Sequence, residues 1–468
     1  MILQELQPKN LWYYFEEISK IPRCSKHEEL IREFVIQTAK RKKLRYKVDQ
    51  TGNVVIKKGN PNEKTTVLQA HLDMVCEKNN DVLHDFSKDP LNIYIDGDWV
   101  KAKGTTLGAD NGIGVAAALA MLEEDIEPIE VLLTIDEETG LTGASNISPD
   151  FIKGRILLNL DTEKEGVFII GCAGGRDSII RIKIDKKRRE EKGFEITIKR
   201  LKGGHSGMDI NTGRANAIKL MADILSPLIN DIEIAEFEGG DKRNAIPREC
   251  KVLLYTKVHE PFKEVLISQW NRLKEKYRKV EKVMNIEIEE KEIKEVMISG
   301  NKLIKLLKEL PHGVISMDEE IPNVVRTSTN LASIHSKDQY IEIVESSRSS
   351  DEVELEKLMN KIKIISENVG AEIEQNKGYP SWRTESNSFI VTKSWEVYEN
   401  LFNKPPEVTI IHAGLETGII GKRIKDMDMI SFGPTIKNPH SPDERVLIPS
   451  VKTFYNFLLA LVKELQKR

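Results

Sequence analysis

Apolar residues at helical spacing open the chain, over residues 11–18 and again over 27–39. Ser25, ahead of Glu28 and Glu29, reads as an N-cap for the second helix. A hairpin is predicted next: residues 44–48, a turn at Thr51-Gly52-Asn53, then 54–56. From residue 65 the pattern changes to short, uninterrupted apolar runs. Residues 65–70, 131–135 and 156–160 read as strands buried on both faces, with an Ala-rich helix at 112–122. That alternation predicts an α/β fold around a mostly parallel sheet.

After Gly174-Gly175 the chain is richer in Lys, Glu and Ile, and its strands become amphipathic. Helices are predicted over 214–225, 264–280 and 352–369, with a strand at 340–345. Their order suggests two related α+β lobes. From about residue 385 buried strands return, at 408–411 and 428–432, before a closing helix at 451–465. The expected organisation is an α/β domain in two parts, 1–176 and 385–468, split by an inserted two-lobed α+β domain at 177–384.

The 468 residues carry 70 Lys and Arg against 74 Asp and Glu, a net charge of −4. That balance offers no electrostatic footprint for nucleic acid or an anionic membrane. No apolar run reaches the ~18 residues of a membrane span, and the N-terminal residues lack the apolar stretch of a signal peptide. Cys24, Cys76, Cys172 and Cys250 are far apart, which fits a reducing cytosol better than a disulfide framework. A cytoplasmic protein without nucleic-acid or membrane partners is expected.

The candidate chemistry lies in loops, mostly just past apolar strands. His71-Leu72-Asp73 follows 67–70, Glu137-Glu138 follows 131–135, and Asp161 follows 156–160. Asp110 precedes a Gly-rich helix start, and His440 follows Ser431-Phe432-Gly433-Pro434. Taken singly, each has a plain structural explanation: a capped strand end, a turn with a helix cap, a solvated acidic pair. Together they can converge outside the carboxyl ends of the strands, where open α/β sheets bind ligands. Two His and three carboxylates exceed the needs of one open metal site and suit two metals sharing a carboxylate. The Gly-rich stretches 104–110 and 171–175 match neither a P-loop nor a dinucleotide-binding turn.

These motifs, with Gly203-Gly204-His205-Ser206-Gly207, His412-Ala413-Gly414-Leu415-Glu416 and His440-Ser441-Pro442-Asp443-Glu444, span nearly the whole chain. In this order they resemble the co-catalytic zinc exopeptidase family that includes glutamate carboxypeptidase and carnosinase. Within it they resemble the aminoacyl-histidine dipeptidase, or peptidase D, branch. The resemblance implies a dipeptidase acting on unblocked dipeptides of broad specificity, Xaa-His or β-Ala-His among them. A tripeptidase or an N-acyl-amino-acid deacylase with the same centre is the alternative. It implies two divalent ions, zinc first and cobalt or manganese as alternatives.

Asp110 would bridge the ions, with His71 and Asp161 completing one site and Glu138 and His440 the other. Glu137 would be general base for the bridging water, and Asp73 would hold the His71 ring. His205 would stabilise the oxyanion from an inserted domain that closes as a lid. Asn244, Arg348, Gly414 and Glu416 would bind substrate, Arg348 pairing with its carboxylate, though Arg348 also fits a plain strand-edge arginine. Monomer and homodimer are both compatible with the family.

Overall fold

Strands buried on both faces need partners on both sides, and the chain supplies them. The computed structural model describes residues 2–60, 63–298 and 300–467. Two compact units emerge: one of residues 1–171, 382–410 and 415–468, the other of 172–381 and 411–414.

In the first unit Ile129–Thr134, Thr66–His71, Ile156–Asn159 and Asp428–Ser431 run parallel in that order. The flanks are antiparallel: Val54–Lys58 pairs with Ile129–Thr134, and Val167–Cys172 with Asp428–Ser431. The sheet is thus mixed, with a parallel centre. Because the central strands are parallel, their carboxyl ends lie on one edge, and the loops leaving that edge carry His71, Glu137 and Asp161. The expected hairpin forms between Arg45–Val48 and Val54–Lys58. Helix Ala109–Met121 is buried along its whole length and packs between helix Lys9–Ile18 and strand Thr66–His71. Only small residues allow that approach: a Cβ at Gly112 would meet the Arg23 guanidinium at 2.6 Å. A four-stranded sheet of Ile93–Asp96, Trp99–Ala102, Arg445–Leu447 and Ile436–Lys437 was not foreseen; it anchors the loop bearing His440.

Two expectations about the first residues fail. Ser25 does not cap helix Glu29–Arg41, whose N-cap position is Glu28; its hydroxyl donates to Asp73 instead, at 2.7 Å. Cys24 and Cys76 form a disulfide, uncommon in cytosolic proteins. A parallel bridge between Cys24 and Met74 lays their segments side by side, a proximity that a separation of 52 residues hides. Cys172 and Cys250 are both buried and take no part in that disulfide. Among the described residues no helix is long and apolar enough to cross a membrane.

The second unit is built on a nine-stranded antiparallel sheet. Strands Asn285–Met297, Lys186–Lys199, Cys250–Thr256 and Ile232–Gly239 form one half. Val325–Ser336, Tyr340–Ser349, Gly174–Lys183 and Glu372–Gln375 form the other, with Gly313–Met317 paired to Val325–Ser336 as the ninth strand. The halves join where Glu238 and Gly239 pair with His335 and Ile334. The two expected lobes therefore share one sheet, and one core running from Ile180 through Phe194 and Leu254 to Ile362. Helix Gly300–Glu309, absent from the sequence reading, contributes Leu303, Ile304, Leu306 and Leu307 to that core.

Strand Tyr340–Ser349 of this sheet carries a buried carboxylate, Glu345. Glu345 has no exposure and accepts one hydrogen bond, from the Thr329 hydroxyl at 2.9 Å; its Oε2 has no partner. Burial pushes its carboxyl up to about 8, against the Thr329 bond and the Lys219 charge, from an ordinary 4.5. The folded chain therefore holds a proton there that the unfolded chain releases. Its contribution to stability is full below about pH 4.5 and is lost as pH rises through about 8. Glu345→Gln is expected to flatten that slope and to stabilise the protein by about 1–3 kcal/mol at alkaline pH. Urea midpoints of both proteins across that range check this.

Candidate metal centre

The centre is assembled from loops at the carboxyl edge of the first unit's sheet. Strand Thr66–His71 ends in His71, whose Nε2 lies 3.1 Å from Asp110 Oδ1 and 3.4 Å from Asp161 Oδ1. His440 Nε2 lies 3.1 Å from the other Asp110 oxygen, Oδ2, and 3.0 Å from Glu138 Oε1. Asp110 thus turns each oxygen to a different imidazole, and each imidazole faces a second carboxylate. Ligand atoms of His71, Asp110 and Glu138 all lie within 4.8 Å of one another.

The backbone explains how Asp110 is held. Gly108 adopts φ 64° just before helix Ala109–Met121, and the Asp110–Asn111 peptide is cis. Glu444 accepts the N–H groups of Leu107, Gly108 and Asp110 at 2.8, 2.8 and 3.1 Å. Arg23, fully buried, donates to the carbonyls of Leu72 and Asp73 at 3.0 and 2.9 Å and to that of Gly108. An acid and a base that the sequence reading left unassigned therefore grip the segments carrying His71 and Asp110. Glu444 was within reach, standing four residues after His440; Arg23 carries no local signal.

Asp73 ties the two halves of the centre together. Its Oδ1 lies 3.3 Å from His71 Nδ1 and accepts the Glu137 N–H at 3.0 Å; Oδ2 accepts the Glu138 N–H at 3.2 Å. Burial would raise its pKa, but His71 and these donors hold it near 2. Glu137 and Glu138 sit on the short turn Glu137–Gly140, entered through Asp136 at φ 51°.

The electrostatics show what the centre suits. Burial raises the Glu137 and Glu138 carboxyls, lifts Asp161 to about 6, and lifts Glu163, a further acid beside them, to about 8. Burial opposes protonation of His440, yet Asp110 and Glu138 raise it to about 11. Buried carboxylates facing one another call for cations. Two imidazoles among carboxylates form a donor set that fits zinc or a similar divalent ion.

The other expected site residues are distributed as follows. Glu416, expected to bind substrate, is fully buried in the first unit, accepting from Gln69 Nε2 and the Thr134 hydroxyl, each at 2.6 Å. His205, Asn244, Arg348 and Gly414 belong to the second unit. His205 Nδ1 accepts the N–H groups of Gly207 and Met208 at 3.2 and 3.0 Å, so the neutral ring carries its proton on Nε2. Burial and then the Arg348 charge lower its pKa, favouring that neutral form. The Asn244 carbonyl accepts the Ser206 N–H at 2.8 Å and so braces the His205 loop. Arg348 is buried on strand Tyr340–Ser349 and donates to the Tyr379 hydroxyl at 2.6 Å. Gly414 lies against the Tyr379 ring. His412 is buried, with Nε2 2.7 Å from the Ser328 hydroxyl.

Comparison with known proteins places the whole chain, not its site residues, beside characterised relatives. The profile of Peptidase family M20/M25/M40 matches residues 67–464. The chain is 41% identical to the cytosol non-specific dipeptidase of Escherichia coli, over 99% of both chains. The solved aminoacylhistidine dipeptidase of Vibrio alginolyticus superposes with a TM-score of 0.87 at 40% identity, covering 99% of this chain and 98% of that one. The aminopeptidase PepT of Bacillus cereus shares the fold, with a TM-score of 0.59 at 15% identity over 98% and 99% of the two chains.

Proposed function

The chain belongs to peptidase family M20/M25/M40, and from that premise we propose that it is a two-metal dipeptidase hydrolysing unblocked dipeptides. The observation that carries the two-metal reading is Asp110, with one oxygen 3.1 Å from His71 and the other 3.1 Å from His440. Asp110 is assigned to both ions, His71 and Asp161 to one, and Glu138 and His440 to the other, with zinc the favoured metal. The dipeptidase reading draws on the named activities of the Escherichia coli and Vibrio relatives.

These residues would hold divalent ions, whose chemistry would be to polarise the scissile carbonyl and lower the pKa of water. Glu137 takes the proton of the attacking water on its carboxylate and returns it to the leaving amine. Asp73 holds the His71 ring in its ligating tautomer and fixes the Glu137-Glu138 turn through both backbone N–H groups. His205, neutral and protonated on Nε2, donates to the carbonyl oxygen as negative charge develops. Arg348 binds the peptide's α-carboxylate.

Hydrolysis of β-Ala-His, Leu-Leu, Leu-Gly-Gly and N-acetyl-Leu, before and after chelation and zinc restoration, tests this. The expected result is dipeptide cleavage lost with chelator and restored by zinc. Cleavage of Leu-Gly-Gly or N-acetyl-Leu alone would establish the tripeptidase or deacylase reading instead. Dipeptide cleavage that survives full metal removal would end the metal mechanism.

A further inference from the structure

Arg348 raises a question that its own contacts do not answer. It is 8% exposed, its Nε has no hydrogen-bond partner, and among the described residues no carboxylate forms an ion pair with it. Its guanidinium is nonetheless held, because Nη1 donates to the Tyr379 hydroxyl at 2.6 Å. The tyrosine is itself fixed from three directions. Its backbone N–H and C=O both bond Gly175, each at 3.0 Å, and Gly175 is the cross-strand neighbour of Arg348. A Cβ at Gly175 would stand 2.5 Å from the Tyr379 oxygen and 2.6 Å from the ring carbon bearing it. A Cβ at Gly414 would stand 2.7 Å from another ring carbon. Only glycine at both positions leaves room for the ring. The turn into Tyr379 also needs glycine: Gly378 has φ 61°, and a Cβ there would strike the Gly175 carbonyl at 1.9 Å.

A free arginine side chain loses rotamer entropy when it grips a ligand. A side chain already held in one rotamer loses less, so a prefixed guanidinium binds an anion more tightly. The hydroxyl of Tyr379 accepts from Nη1 without neutralising the charge, leaving Nη2 and the positive charge for a carboxylate. A carboxylate in the place of Tyr379 would have cancelled the charge that recognition needs.

We propose that Tyr379, seated against Gly175 and Gly414, is a positioning residue that presets Arg348 for the free α-carboxylate of the substrate. The proposal rests on the reading of Arg348 as the carboxylate-binding residue. On this account Gly414 acts through the tyrosine ring rather than by touching the peptide.

The test is a double-mutant cycle on Leu-Leu hydrolysis by the metal-loaded full chain, with Tyr379→Phe, Arg348→Ala and the double variant. A lost hydrogen bond to a charged group corresponds to about a tenfold effect or more. The expected result is a KM about tenfold higher for Tyr379→Phe, with kcat within about twofold, and no further rise in KM when the change is made in the Arg348→Ala background. The retained kcat also reports that the variant is folded. A KM unchanged by Tyr379→Phe but raised by Arg348→Ala would overturn the proposal and leave the Arg348 reading standing. The same KM rise from Tyr379→Phe in both backgrounds would overturn it as well, since the tyrosine would then act independently of Arg348. A KM unchanged by Arg348→Ala would remove the reading of Arg348 and the proposal with it.

Discussion

Glu137→Gln is expected to lower kcat for dipeptide hydrolysis by about 10²–10⁴-fold, the range a positioned general base supplies. The substitution keeps the shape of the side chain and removes only its capacity to take a proton. The turn around it is held by backbone contacts to Asp73, through the N–H groups of residues 137 and 138. Glu138, Asp110 and the two histidines keep their places, so metal content should be that of the unaltered protein. Removing one carboxylate from a cluster of buried acids should not lower stability. Steady-state kinetics alongside elemental analysis check both halves of the expectation. A near-normal kcat at full metal occupancy would take the base role from Glu137.

Asp110→Ala is expected to empty both metal positions. Loss of a residue that merely orients a ligand costs ~10–100-fold in metal affinity. A carboxylate shared by two ions should cost each of them at least that much. The backbone should survive, because Glu444 and Arg23 hold the Leu107 to Asp110 segment through main-chain groups that alanine retains. The expected outcome is a folded protein with little bound metal and no measurable turnover. Retention of one tightly bound ion per chain would show that Asp110 serves a single position.

Which parts of this molecule were legible in its sequence follows from how local their causes are. The parallel strands are continuous apolar runs, and the residue types after them stand out against those runs; His71, Glu137 and Asp161 were therefore visible one by one. That Asp110 and His440 would meet them depends on strand order and on the small sheet carrying Arg445–Leu447, which no local pattern encodes. Arg23 is the plainest case of an invisible residue: fully buried, it acts on carbonyls 49 to 85 positions away. Tyr379 and the glycines around it are similar, since a glycine chosen for close approach looks like any other turn glycine. The Cys24–Cys76 pairing escaped for the same reason. Ser25 misled because a serine before a helix is usually a cap, and here tertiary contact with Asp73 outweighs the local preference. The second unit read as two lobes because its helix-and-strand order does fall into halves. Within the sheet their union rests on two residue pairs, at Glu238 and Gly239, in otherwise ordinary strands.

The most direct test of the central claim is a metal titration of chelated protein in which bound ions and Leu-Leu hydrolysis are followed together. Two imidazoles on opposite oxygens of Asp110 require full activity to be reached as occupancy approaches two ions per chain, and both quantities to collapse in Asp110→Ala. Full activity at a stoichiometry of one, or two ions still bound after that substitution, would contradict the account.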